Sequence, residues 1–159
     1  MNQVWVSDIT YIRTKEGWSY LCTVIDLFNR EVIGWSVDAH MRADLVTRAM
    51  ESAFESRKPP EHLIFHSDKG GQYKSAAVRK LLKKHKAVQS MTGKDHCYDN
   101  PHAESFFSTL KKELIRGVVF ENRQAAESAI FEYIEVFYNR KRLHSSLGYQ
   151  TPSAFRGAA

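Results

Sequence analysis

The sequence is poor in cysteine and has no long apolar run. Cys22 and Cys97 are its only cysteines, and neither has the spacing of metal ligands. Two reduced thiols are therefore the default interpretation, and a single disulfide is the alternative. No apolar stretch reaches the roughly 18 residues that a bilayer-spanning helix needs, and no signal peptide is recognisable. These absences predict a cytoplasmic protein without a membrane partner.

Internal repeats, low-complexity segments and an interdomain linker are also absent, so we expect a single domain over residues 1–159. With 43% hydrophobic and 12% aromatic residues, the chain can bury a substantial core. Lysine and arginine outnumber aspartate and glutamate by 23 to 18, which gives a formal charge of +5. This excess favours a polyanionic partner, although many basic proteins bind no nucleic acid.

The N-terminal part of the chain has the pattern of a β-sheet. Residues 4–12 are rich in β-branched and aromatic residues and apolar on both sides, which is typical of a central strand covered on both faces. Two further strands, 18–27 and 31–37, follow after short turns and complete an antiparallel meander. The later elements are predicted as helices at 43–56, 75–86 and 123–142, a strand that begins with residues 63–65 and runs toward Asp68, and a strand at 87–91. This succession predicts an α/β domain with a mixed sheet.

Two aspartates occupy unusual positions in these strands. Asp8 lies in the middle of the first strand, where a carboxylate is costly unless backbone donors, an arginine or another positive group satisfies it. Asp68 stands at the carboxyl end of strand 63–65 and is followed by Gly70 and Gly71. Ligand sites of open α/β sheets cluster at such strand ends, whereas a turn-forming Asp-x-Gly is the alternative.

The stretch 96–114, HCYDNPHAESFFSTLKKEL, predicts an amphipathic helix. Asn100 suits its N-cap, and Pro101 suits the first helical position. Four residues at helical spacing form its apolar side: Phe106, Phe107, Leu110 and Leu114. Glu104 and Lys111 share another side with Ser108. An acid and a base on one exposed side suit a metal ion with a phosphate beside it, but they also suit an ordinary surface helix.

Four segments together resemble a known family: WVSDITYI, HSDKGGQY, YDNPHAESFFSTLKKE and YIEVFYNRKRLHSSLGYQTPSAF. They look like the catalytic core of bacterial insertion-sequence transposases of the OrfB type, which are related to retroviral integrases. The resemblance covers essentially the whole chain, and the motifs occur in the family's order and spacing. It implies an α/β ribonuclease H-like fold with a mixed five-stranded sheet, a three-strand antiparallel meander plus two further strands, flanked by helices.

The resemblance further implies that Asp8, Asp68 and Glu104 form a DDE triad. The implied cofactor is Mg²⁺, with Mn²⁺ as a substitute and two ions per active site, since hard cations prefer oxygen ligands and leave room for phosphate oxygens. Asp8 would bridge both ions while Asp68 and Glu104 each complete one site. Water would nick the end of the element, and the freed 3′-hydroxyl would attack another phosphodiester. The implied partners are transposon ends and target DNA, with homo-oligomers assembled on DNA at the bacterial nucleoid.

Other residues are candidates for supporting roles. Lys111 matches a position where integrase-like enzymes often place a DNA-contacting lysine, and a solvated surface lysine is the alternative. His66 could orient a metal-bound water, reach a phosphate or be structural. Asp99 competes with Glu104 for the role of third acid, but its position in a loop favours helix capping or loop ordering. Arg142 and His144 match the family's final motif, and they either bind DNA or lock the last helix onto the core.

The chain departs from the family pattern in two respects. Pro101 stands where a small residue is common, and we expect it to be tolerated because proline suits a helix start. Full-length relatives also carry an upstream helix-turn-helix region that recognises the element's ends, and we expect sequence-specific end binding to be lost without it. The rival interpretations are a ribonuclease H-type or resolvase nuclease, and an inactive remnant that binds DNA or assembles with a full-length transposase.

Overall fold

A computed structural model describes residues 1–93 and 100–157 of the chain. A mixed sheet with strand order β3-β2-β1-β4-β5 forms its centre. The strands are β1 (Val4–Thr14), β2 (Gly17–Asp26), β3 (Val32–Asp38), β4 (Ile64–Ser67) and β5 (Val88–Met91). The first three are antiparallel neighbours, whereas β4 pairs in parallel with both β1 and β5. The predicted meander with two further strands is therefore confirmed.

Within the described residues, five α-helices accompany the sheet: α1 (Ala43–Arg57), α2 (Ala76–Lys84), α3 (Pro101–Leu110), α4 (Arg123–Phe131) and α5 (Pro152–Gly157). Helix α3 continues as a π-helical turn, Lys111–Ile115, and α4 continues as a π-helical segment, Glu132–Tyr138. The predicted helix over 123–142 is too long, because helical structure ends at Tyr138, before the basic run. The amide of Asn139 still bonds the carbonyl of Ile134, five residues earlier, which is the π-helical pattern. None of the described helices is long and apolar enough to cross a bilayer.

The sheet separates two apolar cores. Helices α1 and α2 pack on one face around Trp5 and Phe65, and α3 and α4 pack on the other around Val6 and Ile12. Trp5 and Val6 are adjacent in β1, and both are buried, because successive side chains of a strand point to opposite faces. The expectation of a central strand covered on both sides is confirmed, and this strand carries Asp8.

One close contact fixes how α1 lies on the sheet. A Cβ atom built at Gly34 in β3 would come within 2.2 Å of the carbonyl oxygen of Ala49 in α1. Only glycine leaves room for this approach of helix backbone to strand backbone. Helix α1 can therefore pack closely against β3, a strand of the antiparallel meander.

The C-terminal tail packs on the domain only in part. Leu147 is buried, and the ring of Phe155 lies 5.4 Å from that of Phe28. The side chain of Tyr149, by contrast, is 72% exposed. Its backbone is left-handed, with φ 58°, in the turn whose amide bonds His144, and this turn leaves the ring outside the core.

Candidate active site

Asp8 and Asp68 are brought together by strand pairing. Val6 of β1 lies opposite His66 of the parallel strand β4, and two further residues along each chain lead to Asp8 and Asp68. Asp68 follows the last residue of β4, at the carboxyl edge of the sheet where α/β proteins bind ligands. The first two predicted acids therefore share one edge of the sheet.

Asn100 ties the start of α3 to the strand that carries Asp8. Its side-chain amide donates a 3.2 Å hydrogen bond to the carbonyl of Ser7, and both residues are buried. It occupies the N-cap position as predicted, but its side chain makes no capping bond, and its Oδ1 is buried without a hydrogen-bond partner among the described residues. The amide of Glu104 bonds the Asn100 carbonyl one turn later. Glu104 thus lies one helical turn after Asn100, and Asn100 in turn bonds Ser7, the residue that precedes Asp8.

The electrostatics of Asp8 show that the other two acids act on it. Burial raises the pKa of Asp8 to about 6, and the carboxylates of Asp68 and Glu104 raise it as well. A 2.8 Å hydrogen bond from the Ile9 amide and the charge of Lys111 act in the opposite direction. The site therefore concentrates negative charge that neighbouring protein groups only partly compensate.

A tight turn holds Asp68. The amide of Gly70 donates a 2.7 Å hydrogen bond to Asp68 Oδ1, and a Cβ atom at Gly70 would stand 2.8 Å from that oxygen. Three residues on, the buried hydroxyl of Tyr73 bonds Ser7 Oγ at 2.8 Å. This bond anchors the Asp68 loop to the same strand residue that Asn100 contacts. The predicted Asp-x-Gly turn is present, and it positions the acid.

The three acids are not drawn together into a closed cage. Asp68 and Glu104 are exposed, and within residues 1–93 and 100–157 no group of three His, Cys, Asp or Glu side chains is arranged to hold a metal ion. Asp99, the competing third acid, and Cys97 lie outside the described residues. Cys22 is a buried free thiol.

Beside the acids lies a groove that combines basic and aromatic side chains. Lys111 Nζ stands 5.7 Å from the centre of the Tyr11 ring, which meets Trp18 edge-on at 5.1 Å. Both rings are about half exposed, and with Arg13 and Arg116 they line a groove of about 400 Å³. The sequence motifs predict a role for Lys111 but not for the two aromatic residues, whose only signal is their proximity to basic residues at the ends of two paired strands.

His66 makes a contact that supports its structural interpretation. Its Nδ1 lies 2.9 Å from Ser90 Oγ, which joins β4 to β5. Its Nε2 is buried and has no hydrogen-bond partner among the described residues. A role toward water or phosphate stays a prediction.

Arg142 contacts the extension of α3, and His144 contacts the extension of α4. Arg142 Nε donates to Glu113 at 3.0 Å, and the hydroxyl of Tyr133 donates to the same carboxylate at 2.6 Å. The ring of His144 meets Tyr138 edge-on at 4.9 Å. These contacts support the locking role, and DNA binding by the pair stays a prediction.

Comparisons with known proteins agree with this geometry. A family model described as an integrase core domain matches residues 1–97, and a second model of the same description matches residues 104–158. The transposase InsF of insertion sequence IS3A from Escherichia coli K12 is 49% identical over 154 residues, which are 97% of this chain and 54% of that protein. A 31 kDa protein of insertion element IS600 from Shigella sonnei is 44% identical and is matched over 57% of its length. The chain thus spans about half the length of these curated relatives.

Solved structures identify the fold. The catalytic core domain of HTLV-2 integrase, in complex with magnesium, superposes with a TM-score of 0.71 at 16% identity, covering 97% of this chain and 95% of that one. The catalytic core of BIV integrase gives a TM-score of 0.69 at 17% identity, covering 99% and 96%. The predicted ribonuclease H-like fold is therefore confirmed.

Proposed function

The chain belongs to the integrase core family, and from this membership we propose that it catalyses divalent-metal-dependent cleavage and transfer of DNA strands. The observation that carries the proposal is the placement of Asp8 and Asp68 on paired strands at one edge of the sheet, with Glu104 one helical turn after Asn100, which bonds Ser7. Carboxylate oxygens from these three elements are the ligands that a metal-dependent polynucleotidyl transfer requires. DNA would be the substrate both as transposon end and as target.

A hard divalent cation, Mg²⁺ or Mn²⁺, fits the chemistry of these residues. The donors are all carboxylate oxygens, and the raised pKa of Asp8 reflects burial and negative charge that a cation would offset. Asp8 would be shared by two ions, and Asp68 and Glu104 would each complete one site. Bound there, the ions would activate the attacking oxygen and stabilise the leaving one in an in-line displacement.

The protein's own groups would position the substrate. Lys111 stands beside the acids and would contact a phosphate of the reacting strand. Tyr11 and Trp18 present exposed ring surface on which an unpaired base can stack. The magnesium complex and the trimeric and dimeric forms named for HTLV-2 integrase cores support a metal cofactor and multimers on DNA.

A strand-transfer assay tests the proposal. The protein is incubated with a preprocessed DNA end carrying a free 3′-hydroxyl and with a plasmid target, in Mg²⁺, in Mn²⁺ or in chelator. We expect joined strands only with metal and none with Asp8→Asn, because the variant removes the shared carboxylate. Asp44→Asn, an exposed aspartate in the first turn of α1, is the matched control and should retain activity.

Other outcomes identify the rival functions. Cleavage confined to RNA–DNA hybrids would contradict strand transfer and favour a ribonuclease H-type enzyme. DNA binding that survives in chelator, with no cleavage or joining under any metal, would instead favour the inactive, DNA-binding remnant.

A further inference from the structure

Besides the groove that Lys111 lines, the protein has a polar cavity on the other side of α3. It has a volume of about 570 Å³ and is bounded by α3, by Arg30 in the turn between β2 and β3, and by the chain after Tyr138. Its described lining includes two arginines, two histidines and several hydroxyls, but no aspartate or glutamate. The composition of the cavity therefore suits an anion.

Arg30 lines this cavity, and no aspartate or glutamate of the described residues lines it beside Arg30. Its backbone is left-handed, with φ 61°, and its amide bonds the Asp26 carbonyl at 2.9 Å, so the tight turn fixes where the side chain starts. Its Nη1 is buried and has no hydrogen-bond partner among the described residues. Burial lowers the pKa of the guanidinium, yet an arginine stays charged at neutral pH. The side chain as a whole is half-buried, and a charged donor atom buried without a partner among the described residues favours a ligand that completes it.

His144 presents a second incomplete group to the same cavity. Its Nε2 is buried and, within the described part of the chain, unpartnered, while its ring is held against Tyr138. Burial, followed by the charges of Arg142 and Arg30, lowers its pKa, and Glu113 acts in the opposite direction. The charge of Arg30 thus reaches His144 across the cavity. Arg142 differs from Arg30 because Glu113 pairs with it.

We propose that this cavity binds one phosphate group, with Arg30 as its charge partner and His144, Thr109 and Ser145 as hydrogen-bonding groups. All four residues line the cavity. A phosphate offers several acceptor oxygens to an arginine and hydroxyls, and charge-assisted bonds of this kind are the strong ones.

We assign this phosphate to a DNA backbone, and this assignment rests on the function proposed above. Glu104 and Ser105 are consecutive in α3, so their side chains diverge by about 100° around the helix axis. Glu104 belongs to the acid site, and Ser105 lines the cavity. A strand bound at the acids would therefore have its neighbouring backbone within reach of the cavity on the next face of the same helix.

A thermal-shift experiment with inorganic phosphate tests the cavity without DNA or metal. Melting temperatures are compared in sodium phosphate and in sodium chloride of equal ionic strength. Wild type should be stabilised specifically by phosphate. Arg30→Gln should lose this stabilisation, and Thr109→Glu should abolish it by placing a carboxylate beside Arg30. Thr109→Glu should not destabilise the fold, because its carboxylate would supply the counter-charge that Arg30 lacks. Loss of the phosphate response in this variant would therefore reflect an occupied site and not misfolding.

Two controls separate a site from general charge effects. Arg48→Gln removes an exposed arginine of α1, and Ser128→Glu adds an acid to an exposed position of α4, neither of which lines the cavity. Both should keep the phosphate response. No phosphate effect in wild type, or equal loss in Arg48→Gln and Arg30→Gln, would overturn the proposal.

Fluorescence anisotropy with a short DNA duplex in chelator distinguishes the source of the phosphate. Arg30→Gln should weaken binding about tenfold, the value of one charge-assisted hydrogen bond, and should reduce the slope of log affinity against log salt by about one. Unchanged DNA affinity with a lost phosphate response would overturn the backbone assignment and leave a free-phosphate site. Because Asp8→Asn should retain the phosphate response while losing strand transfer, failure of the proposed function is distinguishable from failure of this inference.

Discussion

The two sides of helix α3 differ in the charge that they gather. On one side Glu104 joins Asp8 and Asp68, and burial with mutual repulsion raises the pKa of Asp8 to about 6. On the other side Arg30 and His144 line a cavity without acids among its described residues, and both have buried nitrogens without partners.

The comparison teaches that each side is electrostatically incomplete in the protein alone. Desolvated like charges and unpartnered buried donors both cost free energy, and each cost is removed by a ligand of opposite charge. A cation on the acid side and a phosphate on the arginine side would complete both. If both proposals hold, α3 separates a metal site from an anion site, and one DNA strand would contact both.

The largest expected effect comes from removing the acid that α3 contributes. Glu104→Gln keeps the shape of the side chain but withdraws one charge from the metal site, and we expect strand transfer to fall by about 100-fold or more. Gel analysis of joined products measures it, with exposed Glu127→Gln on α4 as the matched control. Activity near wild type in Glu104→Gln would mean that Glu104 is not the third acid, and Asp99 would then be the candidate to test.

A smaller effect is expected from removing the hydrogen bond between Asn100 and Ser7, which we call the tether of α3. Asn100→Ala leaves the buried Ser7 carbonyl without its donor and should lower the free energy of unfolding by about 1–3 kcal/mol. Asn122→Ala, which removes a regular N-cap bond from α4, should cost about 1 kcal/mol. Urea denaturation measures both, and Mn²⁺ titration should show weaker metal binding only for Asn100→Ala. Equal metal affinity in the two variants would mean that the tether has no part in positioning Glu104.

The charge of Asp8 should appear as a pH-dependent stability. Its pKa is about 6 in the folded protein, against 3.8 as the ordinary value, so the folded state holds the proton more tightly than the unfolded state. The ionised carboxylate therefore destabilises the fold above pH 6, and this penalty disappears as the pH falls below about 4. Without metal, Asp8→Asn should be more stable than wild type by about 1–2 kcal/mol at pH 8, a value reduced for solvent screening.

Denaturation at a series of pH values tests this expectation. The difference between Asp8→Asn and wild type should shrink toward zero at pH 4, whereas exposed Asp44→Asn should show no such trend. A difference that is constant with pH would show that the carboxylate carries no electrostatic penalty.

The smallest effect is expected at the groove beside the acids. Lys111→Gln should weaken DNA binding a few-fold for all sequences and lower the salt slope by about one, because a phosphate contact carries no base information. Anisotropy at several salt concentrations measures this, with exposed Lys58→Gln near the C-terminus of α1 as the control. An unchanged slope would favour the solvated-lysine alternative for Lys111.

Local patterns in the sequence predicted much of the fold. Apolar alternation predicted the three-strand meander, and helical periodicity predicted α1, α2 and α3 close to their observed bounds. The three acids were recognised from their position in strands and helix together with the family motifs around them. These features depend on neighbours within a few residues, so the chain carries them in its linear order.

Tertiary structure decided what those residues touch. Asn100 was predicted as a cap from its local context, but its side chain bonds Ser7, 93 positions away in the chain. Arg30 and His144 are even further apart and became a pair only because the tail folds back against the turn after β2. Periodicity records which face of an element is buried, but it does not record which distant polar atom completes a hydrogen bond. The sequence alone therefore determined the layers of the fold and proposed the three acids, while the tertiary structure decided which charged groups stand together.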